Sequence, residues 1–153
     1  FERAESLIAS SGAHIRIGGH RAYFDPAEDY IAMPDRFRFV GTETSSASEG
    51  WYSTLLHELT HWSGAEHRID RQLGERFGDD AYAMEEMVAE LGAAFLCGDL
   101  GITAEPRPDH AAYIGHWLRI MKGDRKAIFT AASAANKAAE YLLGFIDRRK
   151  EAA

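Results

Sequence analysis

The sequence predicts one α+β domain, a small antiparallel sheet followed by a helical bundle, and three observations carry that prediction. Short runs that alternate apolar and polar residues are confined to the stretch from His14 to Met33. From Trp51 onward the apolar residues instead recur three and four apart, the period of buried helix faces. The chain has 153 residues, 46% hydrophobic and 27% charged, which suits a single globular domain with one core.

The elements follow in order. Residues 2 to 11 form a short helix ending near Gly12. Ile15 and Ile17 alternate with polar neighbours, Gly18-Gly19 signals a turn, and Ala22-Tyr23-Phe24 leads to a break at Asp25-Pro26. Tyr30-Ile31-Ala32-Met33 then runs into Pro34, which makes two or three short strands joined by tight turns. Thr44 to Gly50 is a polar loop offering N-caps at Ser46 and Ser48. Trp51 to Ser63 reads as one helix closed by Gly64, and a polar loop follows from Ala65 to about Asp79. A second helix runs from about Asp80 to Cys97, with Gly98 and Gly101 available to end it. Pro106 and Pro108 break the chain before Asp109, the expected N-cap of a helix through Met121 whose buried stripe is Ile114, Trp117, Leu118 and Met121. The Ala-rich stretch from about Asp124 to Arg149 is the last helix, with Ile128, Ala135, Leu142 and Phe145 on its inner side. No internal repeat, low-complexity tract or interdomain linker interrupts the pattern, so residues 1–153 are expected to be a single domain.

Composition excludes several classes. No run approaches the ~18 unbroken apolar residues that a membrane span needs, and no charged segment followed by an apolar one opens the sequence as a secretory signal would. The start at Phe1, without methionine, is the start expected of a fragment of a longer chain. Acidic residues outnumber basic ones by 24 to 17, a net charge of −7. Binding of nucleic acid through its phosphates calls for the opposite balance, and the clusters Arg119 to Lys126 and Arg148 to Lys150 read as solvated helix faces. Cys97 is the only cysteine, so no internal disulfide forms and a reducing, cytoplasmic compartment is expected. Within Ala93-Ala94-Phe95-Leu96-Cys97 it reads as a small buried hydrophobe, not a nucleophile.

The chemistry concentrates in His57-Glu58-Leu59-Thr60-His61. Two histidines four apart on a helix project from one face a turn apart, which lets both imidazoles reach one zinc ion at ~2.0–2.1 Å. Glu58, beside the first histidine, is placed to take a proton from an activated water and pass it to a leaving amine. Leu55, Leu56, Leu59 and Trp62 bury the other side of this helix and hold the constellation firmly. The donors suit zinc first and also admit manganese or cobalt.

The third ligand is open on these residues. His67 completes the spacing HExxHxxGxxH, in which Gly64 lets the chain turn so that His67 swings back to the metal. Glu86 and Glu90 on the next helix are the alternative, one as ligand and the other as acceptor of a ligating histidine's N–H. Ala89, Gly92, Ala93, Ala94 and Cys97 around them imply close helix packing, and acids buried there need a cation. Glu85 reads as a solvated surface acid.

The stretches from Tyr52 to Gly64 and from Tyr82 to Leu96, together with Ala127-Ile128-Phe129-Thr130-Ala131-Ala132-Ser133, resemble the metallopeptidase domain of ArdC-type antirestriction proteins, the polyvalent-protein metallopeptidase family. The similarity extends from about Ala22 to Leu143. It implies a zincin-like fold and a parent protein borne by plasmids, phages or integrated elements, with an upstream single-stranded-DNA-binding domain that lies outside this sequence. In zincins with a glutamate as third ligand, Glu-x-x-Ala-acid places the ligand first and the orienting acid four later. Glu86, Ala89 and Glu90 match that pattern, with Glu in place of the commoner Asp, so the resemblance implies His57, His61 and Glu86 as metal ligands, Glu58 as the catalytic base and Glu90 behind them. No Met-turn stands at metzincin spacing to support His67.

Other residues are weaker candidates. The strand at Tyr30 to Met33 would be a sheet edge for an extended peptide. Tyr52, Tyr82, Tyr113, His110 and His116 are candidate donors to an oxyanion. Trp51, Trp62 and Trp117 read as packing residues, and His14 and His20 as solvated. The expected function is a zinc metalloendopeptidase acting on a protein or peptide, with no membrane and no nucleic acid bound by this domain. The alternative is a protein- or DNA-binding module whose zinc is structural, closed by His57, His61, Glu86 and His67.

Overall fold

The computed structural model describes residues 1–103 and 111–151. Helix α1 (Glu2–Ser11) ends where Gly12 adopts φ 73°, a left-handed stop that glycine takes without steric cost. Three strands follow, β1 (His14–Ile17), β2 (Tyr23–Asp25) and β3 (Tyr30–Met33). They form a sheet in the order β1-β3-β2, and this corrects two expectations. The sheet is mixed rather than antiparallel, since β1 runs parallel to β3 and only β2 is antiparallel to it. The Gly18-Gly19 turn does not fold β2 back onto β1; the chain crosses the end of β3, whose Met33 carbonyl accepts from the Gly18 amide at 2.8 Å. Consequently β3 is the central strand, and the free edge on the antiparallel side belongs to β2.

Helix α2 spans Ala47–Ser63 and begins four residues earlier than the apolar pattern implied, because Ser46 and Glu49 close a reciprocal capping box. The segment after it contains a short helix α3 (Gly74–Phe77), then α4 (Ala81–Leu100), which ends at Gly101 with φ 70°. Helices α5 (Ala111–Gly123) and α6 (Ala127–Glu151) complete the bundle. The predicted breaks at Pro106 and Pro108 and the cap at Asp109 lie outside the described residues.

Two apolar clusters organise these helices. The larger joins α1, β3, α2, the C-terminal half of α4 and the end of α6 around Leu7, Ile31, Leu55, Leu56, Leu59, Leu96 and Leu142. The smaller joins the first half of α4 to α5 and the start of α6 around Met84, Val88, Ile120, Ala127, Ala131 and Ala135. On α5 the buried face runs through Trp117 and Ile120, while Ile114 and Leu118 are about half exposed, so the expected stripe is rotated by part of a turn. Helix α5 is apolar on more than one side, and periodicity alone does not choose between them. On α6 the buried line is Ala131, Ala135, Ala138 and Leu142; Ile128 faces outward, because alanines allow the closer approach to α4. Cys97 is fully buried, as expected, and Trp51 and Trp62 are core residues. His14 and His20 are exposed, as are Arg119, Lys122, Arg125 and Lys126. No helix among the described residues is long and apolar enough to cross a membrane.

Candidate metal centre

Helices α2 and α4 pack against each other, with Gly92 set against the Thr60 side chain. A β-carbon on Gly92 would stand 2.6 Å from Thr60 Cγ2, so only glycine admits this spacing. Two and six residues before Gly92, α4 presents Glu90 and Glu86 to the histidines of α2. Nε2 of His57 and Nε2 of His61 lie 3.1 Å apart. Glu86 Oε2 is 3.5 Å from the first, and Oε1 is 3.4 Å from the second. Donors bound tetrahedrally at ~2.0–2.1 Å from zinc stand about 3.3 Å from one another. The three side chains therefore already hold the separations of one coordination sphere, and they form a metal-capable group among the described residues.

Behind these donors stands a second ring of carboxylates. Glu90 Oε1 lies 2.8 Å from His57 Nδ1, and Glu85 Oε1 lies 3.1 Å from His61 Nδ1. Each imidazole thus offers Nε2 to the centre and turns Nδ1 toward its own acid, the arrangement that fixes tautomer and ring orientation at metal sites. The reading of Glu85 as a solvated surface acid is corrected: it is largely enclosed and joined to both His61 and the Arg71 guanidinium, at 2.8 Å from Nε. Sequence spacing hid this role, because Glu85 precedes Glu86 by one residue and points to a different flank of α4.

Electrostatics match the geometry. Burial disfavours the charged form of His61, yet Glu85 and Glu86 outweigh it and push its pKa up to about 9. His57 is raised for the same reason, burial being overcome by Glu86 and Glu90. Burial would lift Glu86, but the two histidines hold it well below the usual carboxylate range. Glu85 is lowered in the same way, by Arg71 and His61 against burial. A cluster that binds protons between nitrogens and carboxylates this tightly is one a divalent cation can replace them in.

Beyond Gly64 the chain folds back on α2, but the residue that returns is Arg71, not His67. The Ile69 amide donates to Ser63 O at 3.1 Å and the Arg71 amide to Gly64 O at 3.0 Å, with Asp70 held at φ 48° to make the turn. Gly64 itself is right-handed, at φ −76°. Its missing side chain leaves room for the Arg71 guanidinium, which a β-carbon there would meet at 2.5 Å. His67 is exposed and pairs with Asp29 at 3.1 Å, so it is not among the donors that converge. Arg68 stacks 3.9 Å over the Trp62 ring and forks onto Asp29, tying the end of α2 to the β2–β3 turn.

The donors open into a cleft of roughly 600 Å³. Glu58, itself buried, shares its floor with His57, His61 and Glu86. Tyr23 and Phe24 of β2 line one side, and Tyr82 and Tyr113 the other, their hydroxyls 3.4 Å apart. Of the other expected oxyanion donors, Tyr52 is bound to Glu5 and Arg36 away from the cleft, and His116 is bound to Asp80 at 2.7 Å. His110 lies outside the described residues.

An HExxH helix crossed by a glutamate-bearing helix beside a small sheet is a zincin-like arrangement. The chain belongs to the zincin-like metallopeptidase family, whose model matches residues 2–134. It is similar to the antirestriction protein ArdC from the R388 plasmid in two crystal structures. The Mn(II)-bound form gives a TM-score of 0.79 at 39% identity, over 95% of this chain and 52% of that one. The metal-free form gives 0.80 at 40% identity, over 97% and 52%. Among curated proteins it is 48% identical to the uncharacterized protein y4eC of Sinorhizobium fredii over 142 residues, 93% of this chain and 44% of that protein. It is also 42% identical to a DNA primase TraC of Escherichia coli over 145 residues, 94% of this chain and 13% of that protein. The chain thus spans less than half the length of these curated relatives and about half of ArdC.

Proposed function

We propose that this chain is the zinc-dependent endopeptidase domain of an antirestriction protein from a mobile element such as a plasmid. The observation that carries the reading is the convergence of His57, His61 and Glu86 on one point within 4.8 Å, on the floor of a cleft that Glu58 shares. His57, His61 and Glu86 would hold the cation, with Glu90 and Glu85 orienting the two rings. The cation, when bound, supplies Lewis acidity, acidifying water and polarising a peptide carbonyl. Glu58 accepts the proton of the attacking water and then donates it to the departing amine, which needs a carboxylate that faces the cleft but is shielded from bulk solvent. The free edge of β2, on the cleft rim, offers backbone groups to an extended peptide, the role the sequence had assigned to β3. Tyr82 and Tyr113, which line the cleft, would donate to the developing oxyanion.

The partial coverage of the relatives supports a domain within a longer protein; in this reading that protein is cytoplasmic and another of its domains engages single-stranded DNA. The net charge of −7 supports the same division of labour. Zinc is the cation favoured by the His and Glu donors; manganese, present in the ArdC structure, is its competitor. The decisive comparison loads the protein and its Glu58→Gln variant with zinc and exposes each to a proteome-derived peptide library read by mass spectrometry. Metal content should stay at one per chain while cleavage falls by about 10²–10⁴-fold. No cleavage by either loaded protein would make the metal structural and the chain a binding module, and equal cleavage by both would remove Glu58 from the role of base.

A further inference from the structure

The two histidines are backed by acids, and one of those acids, Glu85, is itself gripped by a guanidinium. The Arg71 side chain is 5% exposed, and its guanidinium grips Glu85 through two nitrogens, Nε on Oε2 at 2.8 Å and Nη2 on Oε1 at 2.5 Å. Nη2 also donates to the carbonyl of Thr60 at 2.8 Å, and Nη1 reaches Ser63 Oγ at 3.5 Å. Arg71 is therefore fastened to the last turns of the same helix that carries His61. The slot it fills exists because residue 64 is glycine, and the left-handed Asp70 turns the chain back into it.

This arrangement answers a problem built into α4. Glu85 and Glu86 are adjacent carboxylates beside one metal-capable site, and either could supply an oxygen to a cation. Two bonds from a planar guanidinium take two of the four lone-pair positions of Glu85 and fix the plane of its carboxylate, with Oε1 turned toward His61 Nδ1. Among the described residues Glu86 has no such clamp; its two oxygens face the two Nε2 atoms.

We propose that Arg71 is a positioning residue of the metal centre: it reserves Glu85 for the His61 ring, so that Glu86 alone enters the coordination sphere from α4. The proposal rests on the metal-centre reading above and adds a residue to it. Loss of the clamp frees Glu85 to compete as a ligand and releases the His61 ring, so both metal affinity and coordination number change.

The test uses cobalt(II) as a spectroscopic stand-in for zinc, in the whole protein and in Arg71→Met, Glu85→Gln and the double variant. Visible absorption reports the coordination number, competition with a chelator reports affinity, and circular dichroism reports folding. Arg71→Met should weaken binding about 10–100-fold, the range for removing an outer partner of a metal ligand. Its cobalt spectrum should move away from the parent's. The double variant should bind no more weakly than the weaker single one, because the two residues act as one unit. Arg71→Lys keeps the charge without the fork and should reproduce the spectral change in a folded chain, which covers the case where methionine prevents folding. Parent-like affinity and spectrum in folded Arg71→Met or Arg71→Lys would overturn the proposal. A parent protein that takes up no cobalt or zinc would instead overturn the metal-centre reading itself.

Discussion

Helix α2 supplies His57, Glu58 and His61 from a single stretch of about one turn, whereas the opposite wall is assembled from two segments, α4 with Glu85, Glu86 and Glu90 and the loop before it with Arg71. The α2 wall stands on large side chains, Leu55, Leu56, Leu59 and Trp62, all in the main core. The α4 wall stands on Met84, Met87, Val88 and a bed of alanines shared with α6. One wall owes its geometry to the helical repeat; the other owes it to the distance at which two helices stop approaching. The difference implies that mutations on α2 remove groups, while mutations on α4 move them.

The largest effect is expected at the point that sets that distance. Gly92→Ala forces a β-carbon into Thr60 and should cost about 1–3 kcal/mol of stability, the usual penalty for overpacking. It should also weaken metal binding by carrying Glu86 away from the histidines. Adding Thr60→Ala removes the colliding atoms and should restore both, so denaturation and metal titrations on the two variants separate spacing from chemistry. If Gly92→Ala bound metal as the parent does, the spacing would not govern the α4 wall.

Protonation sharpens the same contrast. His61 holds its proton up to about pH 9 in the metal-free chain because two acids from α4 face it. A ligand must be neutral, so metal uptake below that pH expels at least one proton, and apparent affinity should rise at least about tenfold per pH unit until about 9, more steeply where His57 is protonated as well. Calorimetry in buffers of different ionisation enthalpy counts the protons released. The raised pKa also means that the proton stabilises the metal-free fold fully below about 6.5 and that this contribution is lost as pH rises toward 9. The melting temperature of the metal-free protein should fall across that window and that of the loaded protein should not.

The smallest effect tests the start of α2. Ser46→Ala removes half of the capping box and should cost about 0.5–2 kcal/mol without changing metal affinity, since the cap lies three turns from His57. Glu49, the other half, also accepts from the Thr103 amide just past α4, and the amides and hydroxyl of Ser46 and Thr103 hold its pKa down to about 2. Its contribution is therefore complete above about 4.5 and should fade as pH drops toward 2, which a melting series in acid would follow. A shift in metal affinity with Ser46→Ala would show that α2 is less rigid than its packing implies.

What the sequence determined by itself was local. The HExxH spacing, the apolar residues beneath it and the Ser46 cap all lie within one helix, where 3.6 residues per turn settle which side chains share a face. The match of Glu86, Ala89 and Glu90 to a family pattern was legible for the same reason. Tertiary structure decided everything that depends on two segments meeting. The parallel pairing of β1 with β3, the removal of His67 to Asp29, the return of Arg71 into the space above Gly64 and the enclosure of Glu85 arise from how loops cross and how near helices come. A charged side chain carries no mark of its partner in the sequence. Whether Glu85 is solvated or buried is fixed only when a guanidinium and an imidazole arrive within hydrogen-bonding distance, because those contacts, and not the helix period, offset the cost of taking it out of water.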